Sequence, residues 1–258
     1  VLEKSKLEID NLFLVASKKS AGQKLVFKKK AITIQQLEDY DFSKAEITIF
    51  AAGSEIAKNW ATQASKKTIV IDNSKHFRMN EDVPLVVAEV NPDDLKKHKN
   101  IIANPNCSTI QLMLPLKPLH DKYRIKRVIV STYQAVSGAG KASENELFSQ
   151  TKDYLNGKKI KSENFTKQIA FNLIPHIDSF VDDGYTKEEW KMENETKKIL
   201  DKRIGLTATC VRVPVKTSHS ESVNIEFEND YDLDQVREIL ENAPGCKVVD
   251  ENKDGGYI

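Results

Sequence analysis

Short apolar runs alternate with segments of helical period through the first hundred residues. Leu12-Phe-Leu-Val-Ala16 and Ile47-Thr-Ile-Phe-Ala-Ala52 are continuous apolar runs of strand length, and Thr68–Asp72, Pro84–Ala88 and Asn100–Ala103 repeat the pattern. Runs without polar alternation predict strands buried on both faces, as in a parallel sheet. Between them Ser54–Ala64 has a helical period, with Ser54 at the N-cap. Strands alternating with helices predict βαβ units and a nucleotide-binding sheet.

After residue 106 the texture changes. A helix is predicted from Ser108 to Leu119, kinked at Pro115, followed by the strand Arg127–Ser131. Farther on come a helix over Thr186–Leu200, two partly alternating strands (Thr207–Val215 and Ser222–Glu228) and the amphipathic helix Leu233–Asn242. Paired strands with helices on one face predict an α+β domain. The expected division is therefore 1–106 and 107–258. Val1–Glu8 reads as the tail of a helix, and Asp254–Ile258 follows a segment of strand character. Both ends are expected to be truncated.

Composition narrows the function. The 258 residues are 40% hydrophobic, enough for two cores, and 39 Lys and Arg against 38 Asp and Glu leave a net charge of +1. That balance points to no nucleic-acid or membrane surface, and the lysine runs read as solvated faces. No run has the length of a membrane span and no signal-peptide pattern opens the chain. Cys107, Cys210 and Cys246 form no CxxC pair and are odd in number. They argue against a disulfide framework or a metal site and fit a cytoplasmic protein.

Candidate chemistry begins at Asn104-Pro-Asn-Cys-Ser-Thr-Ile-Gln111, where Cys107 stands at the foot of a predicted helix. A thiolate there is stabilised by the helix dipole, although a free cysteine is also an ordinary buried hydrophobe. Cys210 inside a strand and Cys246 after a Pro-Gly turn read as structural. Ser17, Lys18, Lys19 and Ser20 follow the first strand, where a dinucleotide fold meets the adenosine ribose. With no acid present, this loop suits a 2′-phosphate or is a polar surface loop. Ala52-Gly53 stands where a strand hands over to a helix, and Ser137-Gly138-Ala-Gly140 is a second glycine-rich turn. Each could bring amides to a cofactor or serve packing alone. His76, His98, His120 and His176 read as ordinary histidines.

Four motifs recur in order: NPNCSTIQ, Ser131-Thr-Tyr-Gln-Ala-Val-Ser-Gly-Ala-Gly140, Glu188-Glu-Trp-Lys191 with Glu195–Ile199, and Val211-Arg-Val-Pro-Val215 leading to His219-Ser-Glu221. With Leu12–Ser17 and Arg78-Met79 they resemble the bacterial-type aspartate-β-semialdehyde dehydrogenase family over essentially the whole chain. The resemblance implies a Rossmann-like dinucleotide-binding domain, here without its first strand and glycine-rich turn, and an α+β catalytic and dimerisation domain. It implies NADPH-dependent reductive dephosphorylation of β-aspartyl phosphate in lysine, methionine, threonine and diaminopimelate biosynthesis. By the same resemblance Cys107 is the nucleophile, His219 the acid–base and Gln134 the group orienting the acyl intermediate. Arg212 would clamp the substrate carboxylate. Arg78, Asn106 and Lys191 would take phosphate, and Glu189 the ammonium, with Glu188 a close competitor. A homodimer or homotetramer is implied as well.

Arg212 and His219 are seven apart, so an unbroken strand would aim them to opposite faces. Pro214 and Lys216-Thr-Ser218 must therefore break the register. N-acetyl-γ-glutamyl-phosphate reductase shares the cysteine–histidine logic, but EEWK and the length of the match disfavour it. An inactive dimerising paralogue would have lost Cys107 or His219, and both are present.

Overall fold

Four of the five apolar runs of the N-terminal half become strands, and two further strands that the pattern did not mark complete two three-stranded sheets. The structure, a computed structural model, describes residues 2–257. It divides into one unit up to Pro84 with Lys97–Asn104, and a second of Leu85–Lys96 with the chain from Pro105 onward. In the first unit β1 (Leu14–Ala16) runs parallel to β3 (Lys30–Gln36), and β2 (Lys24–Phe27) closes on β3 as a hairpin. β4 (Ile47–Phe50), β5 (Ile69–Asp72) and β6 (Ile101–Ala103) form an all-parallel sheet. Between β4 and β5 runs α1 (Ser54–Ala64), whose buried Ala57, Ala61 and Ala64 fall on one stripe against those strands. This is the Rossmann-like α/β architecture.

Three expectations change here. The N-cap of α1 is Gly53 rather than Ser54, at φ 92° and ψ 171°, a backbone region open essentially to glycine. Pro84–Ala88 is not a strand, although Leu85 and Val87 are buried. The Asn91 side chain takes the place of a ladder: its Oδ1 accepts from the Val87 N–H (2.9 Å) and its Nδ2 donates to the Leu85 carbonyl (2.9 Å). At the N-terminus Leu2–Lys4 is a single 3-10 turn and not a helix tail, while Val1 lies outside the described residues.

The second unit is built on α2 (Cys107–Tyr123) and a sheet ordered β8–β7–β9. β7 (Ile125–Gln134) runs parallel to β8 (Gly205–Arg212) and antiparallel to β9 (Ser220–Phe227). α2 packs on β7 and β9, on α4 (Lys187–Ile199) and on α5 (Leu233–Glu241), while α4 covers β8. α3 (Lys141–Leu155) lies over a smaller core of Val136, Leu147, Ile169, Ala170 and Ile174. The α2 helix runs on past Pro115 and Pro118 to Tyr123, rather than ending at Leu119. Each proline removes one backbone hydrogen bond, but the buried stripe Leu112, Met113, Leu116, Leu119, Tyr123 holds the helix against the core. On the opposite face of the sheet Ile129 and Tyr133 are exposed. No strand follows α5 among the described residues, so the strand character before Asp254 is not realised, and Ile258 lies outside them. No helix among the described residues is long and apolar enough to cross a membrane.

Candidate active site

Asn106 fixes the start of α2. Its Oδ1 accepts from the N–H groups of Ser108 (2.9 Å) and Thr109 (3.2 Å), a double N-cap. Its Nδ2 donates to Glu188 Oε1 (2.8 Å) and its own N–H donates to Glu195 Oε2 (2.6 Å), so one residue ties α2 to α4. Beside the thiol the backbone N–H groups of Ser108 and Cys107, together with the helix dipole, favour the ionised sulfur.

Cys107 opens to solvent on one side, and its Sγ lies 3.4 Å from His219 Nε2. His219 Nδ1 accepts from the Ala135 N–H at 3.0 Å. Because an amide can only donate, the neutral ring carries its proton on Nε2, pointing at the sulfur. Burial, then the nearby Arg212 guanidinium, push the His219 pKa down, which favours that neutral ring. Burial, then the Glu188 charge, push the Cys107 thiol up.

The register problem is resolved in the loop. β8 ends at Arg212, and Val213–His219 leaves the ladder before β9 begins at Ser220. Loop carbonyls of Val215 and Lys216 accept from the Val136 and Ser137 N–H groups, which brings the loop onto the turn 136–139. Arg212 Nη1 donates to the Ala135 carbonyl at 2.7 Å. Ala135 therefore holds Arg212 through its C=O and His219 through its N–H. Gly138 completes this corner: a Cβ there would stand 3.1 Å from the His219 ring and 3.2 Å from Arg212 Nη1.

Glu188 is the buried hub. It accepts from Asn106 Nδ2, from Gln134 Nε2 (3.3 Å) and from Lys191 Nζ (2.9 Å). Burial alone would raise its carboxyl; Lys191, Asn106 and Gln134 outweigh burial and hold it low. Lys191, raised by Glu188 and Asp178 against its own burial, also bonds Asp178 Oδ2 at 2.9 Å.

Glu189 does not join this cluster. It forms a capping box with Thr186, and its other oxygen accepts from the Cys210 N–H at 3.1 Å. Its carboxylate is committed to α4 and β8. Sequence reasoning preferred Glu189; the better signal was spacing, since Glu188 and Lys191 are three apart and share one helix face. Glu195 and Ala135 were missed, and no motif logic marks a backbone amide.

The remaining candidates belong to the first unit. Arg78 is buried, donating from Nε to the Ser74 carbonyl (3.0 Å) and from Nη2 to that of Asn73 (3.3 Å). Ser17, Lys18 and Lys19 are exposed in the turn after β1, with Ser20 half-buried. Ala52 and Gly53 are exposed where β4 meets α1. Two ammonium groups and two hydroxyls form a donor set that fits a phosphate. Among the described residues no group of three or more His, Cys, Asp or Glu could hold a metal ion.

A cysteine at a helix start, a neutral histidine on its sulfur and a buried Arg/Glu pair with a half-buried Lys, in a chain with a Rossmann-like unit, define a thiol-dependent oxidoreductase. Residues 1–98 match the family described as "Semialdehyde dehydrogenase, NAD binding domain", and residues 116–257 match "Semialdehyde dehydrogenase, dimerisation domain". The aspartate-semialdehyde dehydrogenase of Aquifex aeolicus is 51% identical over 263 residues, covering 100% of this chain and 77% of the relative. The crystal structure of aspartate semialdehyde dehydrogenase II from Vibrio cholerae complexed with ASA superposes with a TM-score of 0.93 at 47% identity, over 95% of this chain and 74% of that one. The Candida albicans enzyme solved with NADP gives 0.71 at 26% identity, over 93% and 71%. The chain belongs to the aspartate-semialdehyde dehydrogenase family.

Proposed function

We propose that the protein converts β-aspartyl phosphate to aspartate semialdehyde and phosphate with NADPH, through a thioester on Cys107. The observation that carries this is the 3.4 Å contact of Cys107 Sγ with a histidine whose tautomer the Ala135 amide fixes. The sulfur, its proton released to solvent, attacks the acyl carbon, the C–O bond to phosphate breaks, phosphate leaves with that oxygen, and the acyl group stays on Cys107. When bound, NADPH supplies the hydride that reduces this thioester. His219 holds its Nε2 proton where the carbonyl oxygen becomes negative, and collapse of the hemithioacetal frees the aldehyde and the thiol. Gln134 orients the acyl group, and Arg212 meets the substrate carboxylate with a bidentate fork.

Glu188, rather than Glu189, receives the ammonium, because its buried charge already faces Gln134 and Asn106. In the second unit Lys191 takes phosphate, Asn106 acts mainly as the cap, and Ser137–Gly140 is a candidate cofactor turn. In the first unit Arg78 is a candidate phosphate ligand, the loop Ser17–Ser20 suits the 2′-phosphate of NADP, and Ala52-Gly53 offers backbone amides to the cofactor. The enzyme serves lysine, methionine, threonine and diaminopimelate synthesis in the cytoplasm. It acts as a homodimer or homotetramer, with the sheet face bearing Ile129 and Tyr133 as the contact surface.

The test is phosphate-dependent NADP reduction by the purified protein with aspartate semialdehyde. Cys107→Ser is expected to abolish it, with arsenate substituting for phosphate in the parent. Activity surviving in Cys107→Ser, or a preference for N-acetylglutamate semialdehyde, would overturn the assignment.

A further inference from the structure

We propose that Ser218 is a positioning residue for His219: its left-handed backbone turns the imidazole onto the Cys107 sulfur. The inference rests on the reading of His219 as the acid–base partner of Cys107.

Among the described residues eight residues other than glycine have a positive φ, and Ser218, at 75°, is the one in the loop that carries His219. A residue with a Cβ enters that region at a cost, so the surrounding structure must hold it there. The holding contacts lie on both sides of it. Before Ser218, the Val213 N–H donates to the Gln134 carbonyl (3.0 Å), and the Val215 and Lys216 carbonyls accept from the N–H groups of Val136 (2.9 Å) and Ser137 (3.1 Å). After Ser218 the chain meets the same turn again, where His219 Nδ1 accepts from the Ala135 N–H at 3.0 Å. Thr217 and Ser218 make the reversal between these attachments.

That reversal decides where the ring points. Along a regular strand Arg212 and position 219 would face opposite sides of the sheet. Strand φ values are negative, about −120°. A φ of 75° instead rotates everything beyond the Ser218 N–Cα bond, and the ring arrives with Nε2 3.4 Å from Cys107 Sγ. Ser218 itself is exposed, so the position acts through its backbone rather than through packing.

The test compares Ser218→Gly, Ser218→Thr and Ser218→Val with the parent protein. Glycine enters the left-handed region freely, whereas a β-branched residue there is a genuine outlier. Glycine also removes the hydroxyl and threonine keeps it, which separates backbone from side chain. NMR of protein carrying 15N-labelled histidine reads the His219 tautomer at pH 8, with the signal assigned by its loss in His219→Asn. In the parent and in Ser218→Gly the ring is expected to hold its proton on Nε2. In the threonine and valine variants it is expected to leave the Ala135 amide and show both tautomers. Their kcat for the semialdehyde should fall about tenfold with KM unchanged, since Arg212 keeps its own bond to the Ala135 carbonyl. An unchanged tautomer in the β-branched variants overturns the proposal, whatever their melting temperature, as does a rise in KM with kcat unchanged. Loss of the single tautomer in Ser218→Gly overturns it too, because the hydroxyl would then be the cause. If the valine variant does not fold, the threonine variant carries the comparison. The spectrum needs neither substrate nor NADPH, so its failure is distinct from failure of the dehydrogenase assay on Cys107→Ser.

Discussion

Replacing Glu221 by glutamine should stabilise the protein above neutral pH, with the gain fading as pH falls toward 4. Glu221 lies on β9 opposite Thr132, on the sheet face that carries Gln134 and Arg212. One carboxyl oxygen is buried without a hydrogen-bond partner. Burial pushes the pKa from 4.5 up to about 7, against a smaller opposing pull from Gln111. The sign follows from linkage. Below pH 4.5 the group is protonated in both the folded and unfolded chains and contributes no difference. As pH rises from 4.5 through 7, the unfolded chain releases the proton freely and the folded chain does not, so stability is lost. At about 1.4 kcal/mol per unit the gap corresponds to about 3 kcal/mol above pH 7.5. Glutamine keeps the shape and cannot ionise. Urea unfolding followed by tryptophan fluorescence from pH 4 to 8.5, at one protein concentration, should show the gap between E221Q and the parent smallest at pH 4 and widening through pH 7. A difference that does not vary with pH, or a parent more stable than E221Q at pH 8, would refute the reasoning.

Glu188→Gln removes the buried charge that pairs with half-buried Lys191 and should cost about 3 kcal/mol while raising KM for the semialdehyde, measured by denaturation and steady-state kinetics. Glu189→Ala should cost about 1 kcal/mol through the lost capping box and leave KM unchanged, which separates the two neighbours. Gly138→Ala should lower kcat about tenfold with little change in melting, because its Cβ would displace the His219 ring and Arg212 rather than strain the backbone.

Much of the fold was legible because its strands are continuous apolar runs and its helices keep their period. The failures share a cause, namely side chains or backbone states that replace an expected signal. The β2–β3 hairpin turns through Lys28 and Lys29, both at positive φ, where the readable signal would have been Asn-Gly. Pro84–Ala88 has the hydrophobicity of a strand but keeps a single backbone bond to β6, from the Ala103 N–H to the Pro84 carbonyl, and meets the Asn91 amide at Leu85 and Val87. At the site, Cys107, Gln134, Arg212 and His219 were visible because side chains of distinctive chemistry recur in a fixed order. The contribution of Ala135 is a backbone amide and carbonyl, which any residue but proline supplies, so no sequence pattern could mark it. Glu188 and Glu189 differ only in which side of α4 they face, and the Thr186 cap decides that.

Glu188 also explains why Cys107 is held toward the thiol form. Glu188 opposes ionisation of Cys107, second only to burial. Its own charge is kept by Lys191, Asn106 and Gln134, so it cannot relieve the thiol by taking up a proton. A ligand ammonium seated on Glu188 would cancel much of that field, and the nucleophile would ionise when substrate arrives rather than before. An unreactive amino acid with the same ammonium and carboxylate, L-2-aminobutyrate, should therefore lower the Cys107 titration midpoint in the parent. In Glu188→Gln the midpoint, read as iodoacetamide alkylation against pH, should already lie below the parent's and should not move further. A parent midpoint unchanged at saturating ligand would show that Glu188 does not couple substrate binding to the thiol, and burial alone would then account for its protonated resting state.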